Sequence, residues 1–497
     1  MTQETQITPP PKTFAQSLAH LGPGIILASS IVGSGELIAT TTVGAEAGFT
    51  LLWLILIGCG IKVAAQVEIG RNTITWGRTP LESFDRVPGP RLAGRGWIYW
   101  GWVVMTLLIL VQQGGLLAGV AQSLAAGIPL SPEGRAWNEA HAAITAAEVA
   151  TAREGGADSE AELAELRAAA ASLPEPADMT TWAVIAGLVT AGLLAVGRYG
   201  LIERFSIGLV GIFTLLTLMA LLMLQTDPAW AITPGELAGS LAFRLPETSG
   251  GRSAVTTALA AVGIIGVGAS ELMIYPYWCL EKGYGRAVGP RNVSHAWTKR
   301  ARGWMRVMQL DAWGSMVIYT IVTAAFYLLG AATLGRLGLR PQGGEMIRTL
   351  GQMYVPIFGP GVMEVFLLGA FAVLFSTFFV AAAGNARMVV DGLVMAGLLP
   401  GDAAARSRFN RIVSVVWVVV AVGLAVGLRE PVAMVLASGV AQSIMLAALA
   451  VAVIFFRYRD LDPRLLPTRA WDAILWVSAG GFLLIGLWTA WQKLAGW

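Results

Sequence analysis

Charged and metal-binding side chains are scarce in this chain of 497 residues. Only 13% of its residues are charged, against about 25% in a soluble domain, and a net charge of +3 offers nucleic acid no basic surface. The only cysteines, Cys59 and Cys279, lie inside apolar stretches, which excludes a disulfide framework. The only histidines, His20, His141 and His295, form no spaced cluster, so no zinc or haem motif is present. Without a nucleophile and base, or a histidine-based metal site, the sequence gives no support for an enzyme.

Long apolar stretches make up most of the chain, which is 55% hydrophobic. Stretches of about 20 apolar residues recur from end to end, which is the length that a helix needs to cross a bilayer. The short alternating segments of a transmembrane barrel are missing, so the sequence predicts a polytopic all-α membrane protein. We place spans 1 to 11 at about residues 21–47, 50–69, 97–127, 182–197, 205–225, 254–281, 307–333, 361–393, 411–428, 431–456 and 471–495.

Arginine and lysine are concentrated in the loops that follow the even-numbered spans. Because cytoplasmic loops carry the excess of these residues, the N-terminus is expected to be cytoplasmic and the C-terminus external. We expect a multi-pass protein of a bacterial-type plasma (inner) membrane, with residues 1–20 as a short disordered cytoplasmic tail. The basic residues are Arg71, Arg78, Arg86, Arg91 and Arg95; Arg198 and Arg204; Lys282, Arg286, Arg291, Lys299, Arg300, Arg302 and Arg306; Arg406, Arg408 and Arg411; and Arg457, Arg459, Arg464 and Arg469.

The loop of residues 128–181, between spans 3 and 4, is acidic and rich in alanine. Its clearest part, AELAELRAAAASL, has the composition of a solvated helix. We predict an external helical insertion in the form of a hairpin. It either supports folding and assembly or attracts cations to this side of the membrane.

Two short segments interrupt their spans in the same way. GSGEL at 33–37 lies in span 1 and GASEL at 268–272 lies in span 6, and each has three small residues before Glu-Leu. The two spans correspond if the chain consists of two repeats, residues 21–225 and 254–456, with span 11 added at 471–495. Glycine and serine weaken a helix and free backbone groups, which lipid tolerates only where the backbone lines a cavity. Interrupted helices at matching positions indicate a transporter site near the middle of the membrane, and close helix packing is the alternative.

Residues 22–57, GPGIILASSIVGSGELIATTTVGAEAGFTLLWLILI, resemble the start of the NRAMP family of metal-ion transporters. The shared features are the Gly-Pro-Gly opening and the GFTLLW entry to span 2, and STFFVAAAGN in span 8 follows the family's small-polar pattern. The eleven-span layout agrees over the whole chain. The resemblance implies the amino-acid-transporter-like (LeuT-type) inverted-repeat fold, with five plus five helices and one more, and with helices 1 and 6 broken. It also implies secondary active transport by alternating access.

The family's metal-binding residues are replaced in this chain. Where the family has Asp-Pro-Gly-Asn in its first helix, GSGE stands at 33–36, so the metal-binding aspartate is absent. Where its sixth helix has a methionine followed by Pro-His-Asn, GASE stands at 268–271. The loss of the soft thioether argues against manganese and iron, so we expect no transition-metal site.

Two substrate classes remain for the altered site. A small oxyanion such as bicarbonate would meet free backbone N–H groups, half-helix dipoles and serine hydroxyls, with the glutamates as caps or as ligands of a coupling cation. A hard divalent cation, magnesium before manganese, would instead be bound by the two glutamates. The anion is our preferred interpretation. The predicted substrate-binding residues are Gly33, Ser34, Gly35, Glu36, Gly268, Ala269, Ser270 and Glu271.

The resemblance also bears on coupling. Sodium sites in this fold class use hydroxyls of span 8, where Ser376 and Thr377 stand, and the family's proton-linked histidine is missing. We therefore expect sodium-coupled uptake, unless both hydroxyls only bond within their helix. The expected partners are a small inorganic ion and the bilayer. No cofactor is expected besides a bound sodium ion, and the oligomeric state is left open, with a monomer as one option. Among other polar residues inside spans, Gln66, Gln112 and Gln113 either line the path or make interhelical hydrogen bonds. Lys62 either neutralises a glutamate or attracts an anion, or else its ammonium extends toward the membrane surface. Asn385 either lies on the path as part of an inner gate or faces the cytoplasm.

Overall fold

A computed structural model describes residues 7–24, 26, 32–154, 156–196, 199–246 and 254–495. Most of these residues are helical, because apolar segments in a bilayer satisfy their N–H and C=O groups by bonding within the helix. The α-helices are α1 (Phe14–Ala19), α2 (Thr41–Ala47), α3 (Leu52–Trp76), α4 (Pro80–Phe84), α5 (Trp97–Gly127), α6 (Pro132–Glu154), α7 (Ala157–Ala171), α8 (Asp178–Val196), α9 (Tyr199–Leu224), α10 (Pro234–Ser240), α11 (Ala254–Val262), α12 (Ala269–Glu281), α13 (Tyr284–Val288), α14 (His295–Gly330), α15 (Met346–Gly351), α16 (Val355–Phe358), α17 (Val362–Met395), α18 (Ala403–Leu428), α19 (Pro431–Phe455) and α20 (Arg469–Leu494).

Among the described residues, 8 helices are long and apolar enough to cross a membrane: α3, α5, α8, α14, α17, α18, α19 and α20. Helix α14 continues as a π-helix over Ala331–Gly335, and α19 continues over Phe456–Asp460. A two-residue hairpin, β1 (Arg91–Leu92) and β2 (Arg95–Gly96), precedes α5 and is antiparallel.

The remaining predicted spans correspond to shorter helical segments. Span 5 lies at α9, whose apolar part is Val210–Leu224. Span 6 is formed by α11 and α12, and span 1 contains the π-helix Val32–Thr40 followed by α2. Several helices extend beyond the predicted spans: α3 ends at Trp76 and α14 begins at His295. The turns at these helix ends are polar, so they remain helical although they lie outside the apolar stretches from which the spans were predicted.

Span 6 is broken, as the repeated motif predicts. Residues 263–268, here called the span 6 break, form turns and extended backbone between α11 and α12. Gly266 has a φ of 62°, a conformation that glycine adopts without a side-chain clash. The Ala269 amide donates to the Gly263 carbonyl at 3.1 Å, which closes the loop before α12 begins.

The corresponding stretch of span 1 is wound differently. Val32–Thr40, which contains GSGE, is a π-helix, a widened turn that is frequent at functional sites. The hydroxyls of Thr40 and Thr41 donate to the carbonyls of Gly35 and Glu36, five residues earlier, at 2.8 and 3.2 Å. GSGE is therefore helical, and these hydroxyls satisfy carbonyl groups of the widened turn. Residues 27–31, just before it, lie outside the described part of the chain.

Close packing between α11 and α19 positions the span 6 break. A Cβ on Gly263 would overlap the carbonyl of Gly439, and a Cβ on Gly439 would overlap the carbonyl of Ala260. The absence of side chains at these two positions lets the helix backbones touch. The polar residues of α19 that follow Gly439 are thereby brought against the break.

Two peripheral segments were also predicted. The tail was expected to be disordered, but its described part, from residue 7, is packed. The Thr8 amide donates to the Ala287 carbonyl at 3.2 Å, the Trp304 indole donates to the Thr8 carbonyl at 3.1 Å, and α1 begins with a capping box at Thr13. The tail prediction is wrong because it considered composition alone and not the aromatic surface on which the segment lies.

The insertion contains a helical hairpin, α6 and α7, which pack against each other. The Arg167 guanidinium donates to the Glu148 carboxylate at 2.7 Å across the hairpin. At its base, Asp178 accepts bonds from the Leu130 amide and the Ser131 hydroxyl, both at 2.6 Å. The hairpin is therefore attached to the membrane-spanning helices at a fixed position.

Candidate functional site

Glu36 connects the two interrupted spans. Its side chain is fully buried, and Oε1 accepts a bond from the Gly266 amide at 3.1 Å and another from the Thr323 hydroxyl of α14 at 2.7 Å. The other oxygen, Oε2, is buried without a hydrogen-bond partner. Glu36 thus holds the backbone of the span 6 break from the other half of the protein.

Lys62 of α3 holds the other side of the same break. Its buried ammonium donates to the carbonyls of Val262 and Ile265, the latter at 2.6 Å. These carbonyls lie at the end of α11, where helical partners are lost. The ammonium also interacts electrostatically with the carboxylates of Glu36 and Glu271.

Glu271 behaves as the first-turn cap that the sequence allowed. Its half-buried carboxylate lies beside its own amide and that of Gly268, at the N-terminus of α12. A negative charge there is stabilised by the helix dipole. Like Glu36, it keeps a buried Oε2 without a well-formed hydrogen bond.

A chain of buried hydrogen bonds joins the two motifs. Gln112 of α5 donates to the Ser34 hydroxyl at 3.0 Å and accepts from the Ser438 hydroxyl at 2.7 Å and from the Gln442 amide at 3.0 Å. Gln442 accepts from the Ser270 amide at 3.1 Å. These side chains therefore connect spans 1, 3, 6 and 10. Most of their hydrogen-bonding groups already have a partner inside the protein.

The backbone donors that were predicted to be free have partners inside the protein. The Gly33 amide donates to the Thr377 hydroxyl at 3.2 Å, Ala269 donates to Gly263, and Ser270 donates to Gln442. That prediction is therefore wrong for these three amides in this conformation, because buried N–H groups near a break find the nearest acceptor. Gly35 packs against the break: a Cβ added to Gly35 would lie 3.0 Å from the carbonyl oxygen of Ile264.

The serine hydroxyls retain donor capacity. The Ser34 oxygen accepts from Gln112, so its own proton is available, and its side chain is buried. The Ser270 hydroxyl is buried beside the Glu271 carboxylate and makes no well-formed hydrogen bond. The two motifs thus contribute hydroxyl donors where backbone donors were expected.

The predicted coupling-ion residues of α17 lie against span 1. Thr377 accepts the Gly33 amide, and a Cβ on Gly33 would overlap the threonine side chain. The Ser376 hydroxyl is fully buried and has no hydrogen-bond partner among the described residues. An unpartnered buried hydroxyl is a sign of a missing ligand, ion or water.

The other predicted path residues differ in environment. Gln66, one turn after Lys62 on α3, is fully buried, and both polar atoms of its amide lack partners. Gln113 is buried with an unpartnered carbonyl oxygen. Asn385 is buried and donates to the Ala381 carbonyl of its own helix at 2.8 Å.

Three residues of the site were missed: Thr323, Ser438 and Gln442. Ser438 and Gln442 are four residues apart in the otherwise apolar span 10, so they share a helix face. That spacing was the available signal. Thr323 gave none, because a single threonine in a span usually bonds to its own helix, as it also does here with Tyr319 at 2.6 Å.

The described residues contain no group of three or more His, Cys, Asp or Glu side chains that could hold a metal ion. The donors at the site are hydroxyls, amides and one ammonium. The acceptors are carbonyl groups and two carboxylates. Such a set suits a small polar ion held by hydrogen bonds, or a hard cation, and the buried thiol of Cys59, which packs against Gly266, is a soft group beside it.

Comparison with known proteins gives a consistent result. The model of the Nramp family (natural resistance-associated macrophage protein-like) matches residues 142–492. No protein with a curated function matches the chain in sequence. The matched region includes the span 6 motif and the span 8 hydroxyls, and it begins after the span 1 motif.

Solved structures of a manganese transporter from Eremococcus coleocola are similar in fold. A histidine-to-alanine variant has a TM-score of 0.64 at 15% identity, over 100% of this chain and 91% of that chain. A glutamate-to-alanine variant has a TM-score of 0.62 at 15% identity, over the same shares of 100% and 91%. The complex with an aromatic bis-isothiourea substituted compound gives 0.60 at 14% identity, again over 100% and 91%. Identities this low establish the fold alone.

The fold is therefore the all-α inverted-repeat transporter fold that the sequence predicted. The family model covers more than half of the chain. The chain belongs to the Nramp family and is a multi-pass membrane transporter, a secondary transporter of the alternating-access type and not an enzyme.

Proposed function

We propose that this Nramp transporter moves a small oxyanion such as bicarbonate. The observation that carries the proposal is Lys62, a fully buried ammonium at the span 6 break, where the family's metal ligands are replaced by small residues. A buried positive charge beside the site repels a metal ion and attracts an anion. The Ser34 and Ser270 hydroxyls provide donors on both motifs.

Sodium coupling follows from charge. When ionised, Glu36 and Glu271 carry two negative charges against the single positive charge of Lys62, so a bound anion needs a further positive charge in this low-dielectric region. The unpartnered Ser376 hydroxyl and the adjacent Thr377 supply oxygen atoms for a sodium ion next to span 1. Inward movement of sodium would then drive uptake of the anion.

The second candidate substrate is a hard divalent cation, magnesium before manganese. It is favoured by one observation: Oε2 of Glu36 and Oε2 of Glu271 are both buried without hydrogen bonds. Carboxylate oxygens are the ligands that magnesium prefers. In that case the glutamates themselves bind the substrate.

The proposed setting is a bacterial-type plasma membrane. The basic loops after the even-numbered spans support a cytoplasmic N-terminus and an external C-terminus. With that orientation the hairpin of α6 and α7 lies outside. The proposal makes no use of a second subunit, and a monomer suffices for alternating access.

The test is uptake by the purified protein in proteoliposomes. Labelled bicarbonate is offered with and without an inward sodium gradient, in parallel with magnesium and manganese, and empty liposomes give the leak of carbon dioxide. We expect sodium-dependent bicarbonate accumulation above that leak and no manganese uptake. Magnesium uptake without bicarbonate uptake would overturn the proposal in favour of the second candidate.

A further inference from the structure

An apolar groove lies on the lateral surface of the protein, where α5, α19 and α20 meet. Its volume is about 610 Å³, and apolar side chains of these three helices line it. Val104 and Leu487, which belong to this lining, are 59% and 61% exposed. The groove therefore opens sideways, toward the hydrocarbon of the membrane that surrounds the spans.

The length of the groove matches one lipid chain. On α5 it extends from Trp97, the first residue of the helix, to Leu108. At about 1.5 Å per residue these positions lie about 16 Å apart, which is half of a hydrocarbon core of roughly 30 Å. Gly101 leaves space between them, because a Cβ there would meet only the sulfur of Met445, at 3.4 Å. The groove therefore reaches from the membrane boundary to the middle of the bilayer, as an acyl chain of one leaflet does.

Positive charge is concentrated at the Trp97 end of the groove. The Asp85 carboxylate accepts from the amide of Gly96, the residue next to Trp97, at 2.6 Å. The other oxygen of this carboxylate lies 3.1 Å from the guanidinium of Arg91 and 3.3 Å from that of Arg95. One carboxylate thus pairs with two guanidinium groups, and the Arg91 side chain is half-exposed. A positive charge remains for a partner outside the protein.

Two tryptophans attach the basic loop to the start of α5. The Trp97 indole donates to the Pro88 carbonyl at 3.2 Å, and the Trp100 indole donates to the Leu92 carbonyl at 3.0 Å. Tryptophan is enriched where the headgroups of a bilayer meet its hydrocarbon. The arginines of this loop are therefore held at the level of the lipid headgroups.

We propose that the groove binds one anionic phospholipid, with an acyl chain along α5 and the phosphate beside Arg91 and Arg95. Guanidinium groups bind phosphate through parallel hydrogen bonds, which suits this pair of arginines. A second copy of the chain fits less well, because a two-fold axis along the membrane normal would bring the arginines of both copies together. The inference is independent of the transported ion, since the lining of the groove contains no residue of the candidate site.

The experiment measures lipid binding to the purified, delipidated protein by native mass spectrometry. The probes are dioleoyl phosphatidylglycerol, which is anionic, and dioleoyl phosphatidylcholine, which has the same acyl chains and no net charge. The first phosphatidylglycerol should bind about fivefold more tightly than phosphatidylcholine, or better, because each arginine beside an anionic lipid strengthens binding by about that factor.

Variants that fill the groove test the position of the acyl chain. Gly101→Leu fills it from α5, and Ala448→Leu, at a half-buried lining residue, fills it from α19. Each should weaken binding of the first phosphatidylglycerol about tenfold, because the chain loses apolar contact with the protein. Gly423→Leu is the matched control, since Gly423 is an exposed glycine of α18 with open space around it. It should leave binding unchanged.

Variants of the arginines test the position of the headgroup. Arg91→Gln combined with Arg95→Gln should abolish the preference for phosphatidylglycerol and leave the binding of phosphatidylcholine unchanged. Arg91→Lys combined with Arg95→Lys should retain the preference. Arg306→Gln, which removes an exposed arginine of α14, should have no effect on either lipid.

Three results would overturn the inference. The first is equal binding of the two lipids to the unchanged protein. The second is undiminished phosphatidylglycerol binding in Gly101→Leu and Ala448→Leu; if neither variant folds, an undiminished preference in the double glutamine variant is decisive instead. The third is a lipid-free dimer of the unchanged protein that Gly101→Leu dissociates, which would make a second copy the occupant of the groove.

Discussion

GSGEL and GASEL are nearly the same sequence, yet they form different structures. In span 1 the motif is wound into the π-helix Val32–Thr40, and its glutamate reaches across to the backbone of the other half. In span 6 the residues before the motif are unwound, and its glutamate folds over the start of its own helix. The two repeats therefore place similar residues at one level of the membrane but use them differently.

The difference originates in the neighbours of each motif. The span 1 motif is followed by Thr40 and Thr41, whose hydroxyls satisfy the widened turn, while the Thr377 hydroxyl accepts from the Gly33 amide. The span 6 break is held from outside, by Lys62 on its carbonyls and by Glu36 on its Gly266 amide. The span 1 motif is stabilised mainly by residues of its own span, and the span 6 break depends on charged side chains from two other helices.

This contrast predicts unequal effects of removing the two glutamates. Glu36→Ala leaves the buried Gly266 amide unpaired and removes the carboxylate that accepts from the Thr323 hydroxyl, so it should lower the free energy of unfolding by about 1.5–3 kcal/mol. Glu271→Ala removes a first-turn cap and should cost about 1 kcal/mol. Denaturant unfolding of the purified proteins in detergent measures both values.

Glu364→Ala is a matched control, because Glu364 is an exposed first-turn glutamate of α17 and makes no contribution to the site. It should change the stability by about 0.5 kcal/mol or less. Equal losses for Glu36→Ala and Glu271→Ala would show that the two motifs are equivalent in energy and would contradict the contrast between them.

The second prediction concerns the hydrogen bonds that connect the two motifs. Gln442→Leu removes the acceptor of the Ser270 amide and a donor to Gln112, so it should cost about 1–3 kcal/mol, because buried polar groups are left unpaired. Hydrogen exchange should accelerate at residues 263–272 more than at residues 33–40. Gln113→Leu, at a buried glutamine of the same span as Gln112, is the control, and we expect a smaller loss there because its carbonyl oxygen has no partner. Uniform acceleration in both segments would mean that Gln442 does not act on the span 6 break specifically.

The helices could be predicted well from the sequence because span length and apolar composition are fixed by the bilayer. Both motifs and the break in span 6 could be located as well, since small residues beside a glutamate are costly inside a span unless they line a cavity. The inverted-repeat fold followed from the family resemblance and is confirmed by the similar structures. Packing of the N-terminal segment was missed, because composition does not reveal an aromatic surface such as that of Trp304.

The partners of each site residue could not be predicted. Lys62 is one of several polar residues inside the spans. Its position in the sequence does not show that its ammonium donates to the carbonyl of Ile265, 203 positions later. Likewise, whether a backbone amide of the motifs is free to bind a substrate depends on which side chains lie opposite it. Gln442 occupies the Ser270 amide, and only the register of span 10 against span 6 decides this. Motifs therefore give the location of the site, and helix packing determines its chemistry.

The smallest expected change in stability distinguishes the two serines. Ser34→Ala loses the bond from Gln112 and should cost about 0.5–1.5 kcal/mol, whereas Ser270→Ala removes no well-formed bond and should stay within about 0.5 kcal/mol. Both should nevertheless reduce sodium-dependent bicarbonate uptake, because each hydroxyl is a donor to the proposed anion. Ser478→Ala, which removes a buried hydroxyl bonded to the Ile61 carbonyl on α3, should leave uptake unchanged at equal reconstitution. If Ser270→Ala transports as well as the unchanged protein, the span 6 hydroxyl has no part in substrate binding. The two motifs would then differ in function as they differ in structure, with span 1 alone contacting the substrate.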